Sequence, residues 1–226
     1  MNKSDISNPE RGKTLVLVLT LLNTVLIAAV SALQVDATIR ANQANRDSQY
    51  YAVQFTGSLI QTGARSDYDL NTYSMLLTNT QEALVAEYTA MQRQNANDQQ
   101  GFEALTLESQ IYQARADRAG SLSFLMTDPA YAPASDQVLP NITAYLSDLN
   151  SYSLELVQKQ NDASDAYHRW NNKSDSYVAV LTMLAIAFFL LGVAQMVQPS
   201  VRLLFSSFAI GVISIGILWT LILLVF

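Results

Sequence analysis

The chain has 226 residues, a formal net charge of −6 and no cysteine. The lack of cysteine excludes disulfide bonds, thiolate nucleophiles and zinc–thiolate sites. The acidic balance argues against a basic surface for nucleic acid, so no nucleic-acid partner is expected.

Three uninterrupted apolar runs dominate the sequence. They cover residues 14–33, 177–197 and 203–226, and none contains a charged residue. About 20 apolar residues suffice for a helix to cross a hydrocarbon core of about 30 Å. The runs therefore predict three transmembrane helices around one polar block, residues 34–176, with membrane lipid as an obligatory partner.

Basic residues next to the spans predict the orientation. Lys3, Arg11 and Lys13 lie in segment 1–13, and Arg202 is the only charge in the short loop 198–202. The positive-inside rule makes both segments cytoplasmic. We therefore expect a multi-pass plasma (inner) membrane protein with residues 34–176 extracytoplasmic.

An alternative for the first run is a cleaved secretory signal. Lys13, an apolar stretch and the small residues Val30–Ala32 fit that pattern. The run of about 20 residues suits a retained signal anchor better than a signal-peptide core. We favour retention.

The first half of the polar block predicts two helices. One continues from the first span and stops near Gly63, and a second is capped by Ser66, with Asp67 and Asp69 in its first turn. The second helix carries apolar residues at steps of seven, and the asparagine-rich piece 95–98 predicts a turn after it. These stripe residues are Leu70, Leu77, Leu84 and Met91.

The second half of the block predicts two more helices. A third stripe ends at Asp128–Pro129, because the residue before proline avoids the helical region. A loop follows to Pro140, and a fourth stripe then runs from Ile142 into the second span without a break. The third stripe consists of Leu107, Ile111, Ala114, Leu122 and Leu125.

The turns alternate between two ends, so the predicted fold is all-α, with an extracytoplasmic antiparallel four-helix bundle on three transmembrane helices. Polar residues interrupt the stripes. Such positions indicate a partly wet core or an interface with other subunits. They include Ser48, Thr80, Ser153 and Gln160.

Aromatic and basic residues cluster at the ends of the predicted spans. We expect Trp170, Tyr177, Arg169, Lys173 and Arg202 to anchor the chain at the membrane interface, where amphipathic rings and long cations are favoured. A cation–π cage is the less favoured reading, because such cages need three or more rings.

His168 is the only histidine. Imidazole changes charge near neutral pH, so His168 is the candidate pH-sensitive group. The simpler interpretation, which we favour, is an interfacial side chain next to belt aromatics.

Polar and small residues inside the spans predict helix packing. Asn23 needs a hydrogen-bond partner in a membrane, and Ser207 with Gly211 forms a small-xxx-small pair. These residues suit contacts within the chain as well as between copies. No span contains Asp, Glu, Lys, Arg or His, so transport by this chain alone is not expected.

The sequence lacks the nucleotide-binding, nucleophile-elbow and paired-histidine motifs. It predicts no catalytic residue, cofactor or metal site. The leading hypothesis is a non-enzymatic structural or accessory protein that forms a homo-oligomer or joins other membrane-protein subunits. The alternatives are a ligand-sensing module that signals through a partner, and a pore formed by oligomerised spans.

Two short segments carry a resemblance. The run Ala44–Tyr51 follows the first span, and Tyr167–Arg169 precedes the second. With its one-plus-two arrangement of spans, the chain resembles a family of small bacterial membrane proteins of unknown function. The resemblance implies an architecture and no catalytic residues. The polar block also resembles the four-helix sensor domains of bacterial chemoreceptors and histidine kinases. The predicted topology places only residues 1–13 and the loop 198–202 on the cytoplasmic side, so we expect any signal to pass through a partner.

Overall fold

The computed structural model describes residues 9–134 and 139–225. Helices account for 92% of these described residues, and no strand occurs among them. The helices are α1 (Pro9–Asn95), α2 (Gln99–Leu122), α3 (Phe124–Thr127), α4 (Ile142–Met196) and α5 (Pro199–Val225). The prediction of an all-α chain is confirmed.

Three of these helices, α1, α4 and α5, are long and apolar enough to cross a membrane. This finding agrees with a multi-pass membrane protein. Residues 1–8 of the predicted N-terminal segment and Phe226 lie outside the described residues.

The predicted helix boundary at Gly63 is wrong. Helix α1 passes through Gly63 and Ser66 without interruption. A glycine inside a helix costs only about 1 kcal/mol relative to alanine. Contacts with α4 just before Gly63 offset this cost, because the Ser58 and Ser153 hydroxyls lie 2.8 Å apart and the Thr62 hydroxyl donates to the Leu149 carbonyl at 3.4 Å.

Without that boundary, the predicted up–down–up–down order is also wrong. One helix, α1, replaces the first two predicted helices. The polar block then contains the end of α1, α2, the short α3 and the start of α4. Among residues 9–134 and 139–225, the predicted four-helix bundle within one chain is not observed.

The turn predicted at residues 95–98 is confirmed. Helix α1 ends at Asn95, and Asn97 has φ 59°, a left-handed conformation that asparagine tolerates better than most residues. The Asp98 carboxylate accepts a hydrogen bond from the Gly101 amide at 3.0 Å, so Asp98 caps α2.

The end of the third predicted helix contains an extra break. Helix α2 stops at Leu122, Ser123 is extended with ψ 122°, and the single turn of α3 follows. The chain leaves the helical region again at Asp128, as predicted before Pro129. Of the predicted loop to Pro140, residues 135–138 lie outside the described part.

Helix α4 runs from Ile142 to Met196, so the predicted continuity between the polar block and the second span is confirmed. The Asn141 side chain accepts a hydrogen bond from the Ala144 amide at 3.0 Å at its start. The next turn is shorter than the predicted loop 198–202, because α5 already begins at Pro199. Proline suits a first helical position, where no amide donor is needed.

The chain forms two compact units. We call residues 9–49 and 160–225 the three-helix unit, and residues 50–159 the polar unit. In the three-helix unit, parts of α1 and α4 and all of α5 share a core of small and branched side chains. This core includes Val16, Val30, Val180, Leu184, Leu191 and Ile213.

The polar unit has a smaller core where α1, α3 and α4 meet. Tyr73, Leu125 and Tyr145 are buried there, and α3 contributes Leu125 with no exposed surface. The partly buried Leu76 and Leu146 pack against them. This cluster joins three helices that are distant in sequence.

Candidate functional site

In the three-helix unit, Asn23 is fully buried against α4. Its Nδ2 donates a hydrogen bond to the Leu184 carbonyl at 2.9 Å. The Oδ1 atom is buried without a hydrogen-bond partner among the described residues. The Asn23 side chain therefore joins α1 to α4 through its nitrogen, and its oxygen makes no hydrogen bond among the described residues.

Ser207 and Gly211 face away from the packed side of α5. Both are exposed, and a Cβ added at Gly211 would meet no atom within 4 Å. The close approach instead occurs at Gly216, where an added Cβ would lie 3.2 Å from Leu184 Cδ2. Of the two predicted uses of the Ser207–Gly211 pair, packing within the chain is not observed, and contact with another copy stays a prediction.

Arg202 was predicted as an interfacial anchor in a loop, but it lies in the first turn of α5 and is only 8% exposed. Its Nε donates to the Ala194 carbonyl at 3.1 Å, and its Nη2 donates to the Val197 carbonyl at 3.2 Å. The last carbonyls of a helix lack partners within that helix and attract cations. Arg202 therefore caps the end of α4.

Three of the predicted anchors lie together on α4. Trp170 is half-buried, with Arg40 Cζ 4.8 Å and Lys173 Nζ 5.6 Å from its ring centroid. Arg169 is exposed one position before it. Tyr177 is the fourth predicted anchor on this helix. It is buried in the core of the three-helix unit instead.

His168 is exposed, and its ring centroid lies 5.2 Å from that of Tyr167. No salt bridge to a carboxylate forms at His168 within the described chain. An exposed ring beside a tyrosine ring fits the simpler, interfacial interpretation, and the pH-sensitive role stays a prediction.

In the polar unit, alanine forms the seam between α1 and α2. Ala83, Ala86 and Ala90 of α1 are buried, as are Ala116 and Ala119 of α2. The Ser109 hydroxyl bonds the Ala83 carbonyl at 3.0 Å across this seam. Small side chains let the two backbones approach closely.

The predicted leucine stripes are not the core of this pair. Leu84 is 61% exposed, and the other large members of the second and third stripes at this level are exposed as well. These exposed members are Leu77, Met91, Leu107, Ile111 and Leu122. The prediction that the leucine stripes form the contact between these helices is wrong. The alanine face of α1 packs against α2, so the leucines of α1 face outward.

Two grooves flank the seam. The first groove, of about 510 Å³, is lined from α1 by Leu84, Glu87 and Met91 and from α2 by Phe102 and Gln110, among others. Its walls combine large apolar groups with amides and one carboxylate.

The second groove, of about 560 Å³, is lined by Tyr68, Met75, Leu122, Arg115 and Arg118, among others. No carboxylate belongs to its lining, and Arg115 stacks near Tyr112 at 5.7 Å. This groove is therefore cationic, while the first groove is anionic.

The grooves open on opposite sides of α1. At about 100° per residue, Leu84 and Met91 point roughly 180° away from Tyr68 and Met75. Neither Glu87 nor the two arginines form a salt bridge within the described part of the chain. Each face thus offers apolar surface and an unpaired charge of opposite sign.

The sequence did not point to the role of Asp69, which is buried in the polar unit. Its carboxylate accepts hydrogen bonds from the Tyr145 hydroxyl at 2.5 Å and from the Phe124 amide at 3.0 Å. Burial and the bond to Asp69 raise the pKa of Tyr145. Asp69 therefore caps α3 and holds α4, and no local sequence signal links these distant residues.

Further side-chain contacts also hold the helices of the polar unit together. Arg65 Cζ stacks 4.6 Å from the Phe124 ring centroid, and the Tyr131 hydroxyl bonds Asp148 at 2.9 Å, which raises the pKa of Tyr131. Ser153, one of the polar stripe residues, is buried with its hydroxyl paired to Ser58. The described residues contain no group of three or more potential metal ligands.

Comparison of the chain with protein-family models, with curated proteins and with solved structures finds no match.

Proposed function

We propose that this chain is a non-enzymatic membrane protein whose polar unit assembles with further copies of itself, as a structural or accessory component. The observation that carries the proposal is the exposed apolar face of α1, represented by Leu77, Leu84 and Met91. In this proposal the polar unit is extracytoplasmic in a bacterial inner membrane, as the basic residues beside the spans predict.

The free energy of burying apolar side chains favours this assembly. Burying a leucine or methionine side chain stabilises an assembly by about 1.5–3 kcal/mol before the costs of association are counted. The first groove alone presents Leu84, Met91 and Phe102 on adjoining turns of two helices. Contiguous apolar surface of this kind on a water-facing module is typical of interaction sites.

Charge supports a second copy as the partner. The first groove carries Glu87, and the second carries Arg115 and Arg118. The first groove of one copy can therefore pair with the second groove of the next. Such a contact is heterologous, and it closes a ring or extends a row. Helices from two copies then supply the four-helix packing that a single chain lacks.

The main test removes the apolar contact. We expect the double substitution Leu84→Gln/Met91→Gln to convert the gently extracted oligomer to monomers in native mass spectrometry. The matched control is Val53→Gln/Ile60→Gln, which changes two exposed apolar residues of α1 outside both grooves. An unmodified chain that is monomeric, or a control that dissociates equally, would overturn the proposal.

A charge exchange tests the pairing of unlike grooves. Glu87→Arg or Arg115→Glu alone should weaken assembly by roughly 3–10-fold, because like charges then meet. A mixture of the two single variants restores the opposite charges at every contact only when the two kinds of chain alternate, whereas the double variant restores them with one kind of chain. Failure of the double variant to recover assembly would exclude this arrangement while leaving self-assembly through apolar groups open.

The second groove also favours the alternative, a sensing module that signals through a partner. Its volume of about 560 Å³ lies in the range of small-molecule sites, and its two arginines suit an anionic ligand. This function requires a small anion to raise the unfolding temperature of the oligomer-deficient Leu84→Gln/Met91→Gln variant. The effect should vanish on adding Arg115→Gln/Arg118→Gln.

The resemblance to the bacterial family with one N-terminal and two C-terminal spans stays a prediction. It agrees with the proposal in architecture. It adds no activity and no partner.

A further inference from the structure

The three-helix unit contains a concave polar site beside the start of the second apolar run. A cavity of about 440 Å³ is lined by Arg169, Trp170, Asn172, Lys173 and Ser176 of α4 and by Leu223 of α5. Residues three, four and seven positions apart share one face of a helix, so Arg169, Asn172, Lys173 and Ser176 project to the same side. Three of the predicted interfacial anchors, Arg169, Trp170 and Lys173, thus line one pocket.

We propose that this pocket binds the phosphate group of an anionic phospholipid. The donors are the Arg169 guanidinium, the Lys173 ammonium and the Asn172 amide. Guanidinium and ammonium groups form charge-assisted hydrogen bonds with phosphate oxygens. Ser176 already donates to the Asn172 carbonyl at 2.8 Å, so its hydroxyl contributes an acceptor edge to the pocket.

The two cations are available to a ligand. Neither Arg169 nor Lys173 forms a salt bridge with a carboxylate in the described part of the chain. Asp165 lies one turn before Arg169 but is not paired with it, and Asp175 accepts from Asn171 at 3.2 Å. An anion in the pocket therefore gains two charges that the fold leaves uncompensated.

The Trp170 ring holds the neighbouring cations in place. Its ring has Arg40 on it at 4.8 Å and Lys173 at 5.6 Å, so the lysine is held beside the ring. Cation–π contacts of this kind are attractive, because the face of an indole ring carries negative charge density. The pocket is thus partly preorganised, which lowers the entropic cost of binding.

The surroundings favour a lipid over free phosphate. Lys173 lies one helical turn before the apolar run 177–197, and Leu223 belongs to the apolar run 203–226. A phospholipid has its phosphate directly above its acyl chains, and tryptophan and basic residues favour that depth. The pocket has the same arrangement, because the cations Arg169 and Lys173 lie next to the apolar side chain of Leu223.

The test measures lipid binding to the full chain. The protein is delipidated in detergent and titrated with phosphatidylglycerol or phosphatidylcholine, and bound lipid is counted by native mass spectrometry. We expect phosphatidylglycerol to bind at least tenfold more tightly than phosphatidylcholine. The substitution Arg169→Gln/Lys173→Gln should abolish that preference, and Lys173→Arg should retain it.

The matched control is Lys13→Gln/Arg46→Gln, which removes two exposed positive charges that do not line the pocket. The control should keep the preference, and circular dichroism melting should show that all variants are folded. Equal binding of the two lipids, or equal loss in the control, would overturn the proposal. Displacement of phosphatidylglycerol by millimolar inorganic phosphate would also overturn it, because the site would then recognise free phosphate.

Discussion

Exposed leucines have different consequences in the two units. The three-helix unit exposes Leu17 and Leu21 on α1, and the polar unit exposes Leu77 and Leu84 on the same helix. In the apolar run, lipid tails solvate such side chains, so they need no protein partner. In water the same exposure costs free energy and favours association. Identical side chains on one helix are therefore expected to contact lipid in the three-helix unit and, in the proposed assembly, another copy in the polar unit.

The cores differ in the same sense. The three-helix unit buries branched residues such as Val180, Leu184 and Leu191. The α1–α2 pair of the polar unit buries alanines and holds its large residues outside. A seam of alanine buries little apolar area per residue, so the pair gains little stability from its own contacts. Association with another copy would supply what the seam lacks.

The largest effect should come from the small core of the polar unit. Leu125 has no exposed surface, so Leu125→Ala should destabilise this unit by about 2–5 kcal/mol through lost contacts and a cavity. Hydrogen exchange of the full chain in detergent measures the loss. The lipid-facing Leu21→Ala should leave exchange in its unit unchanged. Equal effects of the two substitutions would contradict the distinction between the units.

The next effect concerns the bond between Tyr145 and Asp69. Tyr145→Phe removes a donor to a buried carboxylate, which should cost about 1.5–3 kcal/mol. Exchange of the Phe124 amide, which Asp69 also accepts, should accelerate. Tyr152→Phe, at an exposed tyrosine, is the control and should change neither quantity.

The same pair predicts a pH dependence. The pKa of Tyr145 is raised in the fold, so the folded state retains a proton that the unfolded chain releases above about pH 10. The stability supplied by Tyr145 is therefore complete below that pH and is lost as the pH rises beyond it. Unfolding temperatures between pH 9 and about pH 12 should fall more steeply for the unmodified chain than for Tyr145→Phe. Parallel curves would contradict the prediction.

A smaller effect should distinguish the two small residues of α5. Gly216→Leu forces a side chain into the space of Leu184, and overpacking of this kind costs about 1–3 kcal/mol. Gly211→Leu meets open space within the chain and should not change the unfolding temperature. If Gly211→Leu instead changes the oligomer observed by native mass spectrometry, Gly211 lies at a contact between copies.

The smallest effect should come from Asn23. Asn23→Ala removes the bond to the Leu184 carbonyl, and bonds of this type within membranes contribute about 0.6–2 kcal/mol. The unfolding temperature in detergent should fall slightly. Thr24→Ala, at an exposed residue whose hydroxyl bonds only its own helix, should leave it unchanged. If Thr24→Ala lowers the unfolding temperature more than Asn23→Ala does, Asn23 does not contribute to helix packing.

The sequence alone determined the features that depend on local chemistry. The three apolar runs, the turn at residues 95–98, the helix end before Pro129 and the continuity of α4 all follow from side-chain polarity and backbone preference. These properties act within a few residues of chain. Contacts elsewhere did not alter them.

Tertiary structure decided which helix faces meet. The continuity of α1 at Gly63, the outward direction of Leu84, the capping role of Arg202 and the bonds of Asp69 depend on residues far away in sequence. A stripe at helical spacing predicts that one face will be covered but not which neighbour covers it. Here the alanine face of α1 packs against α2, and the leucine face stays exposed.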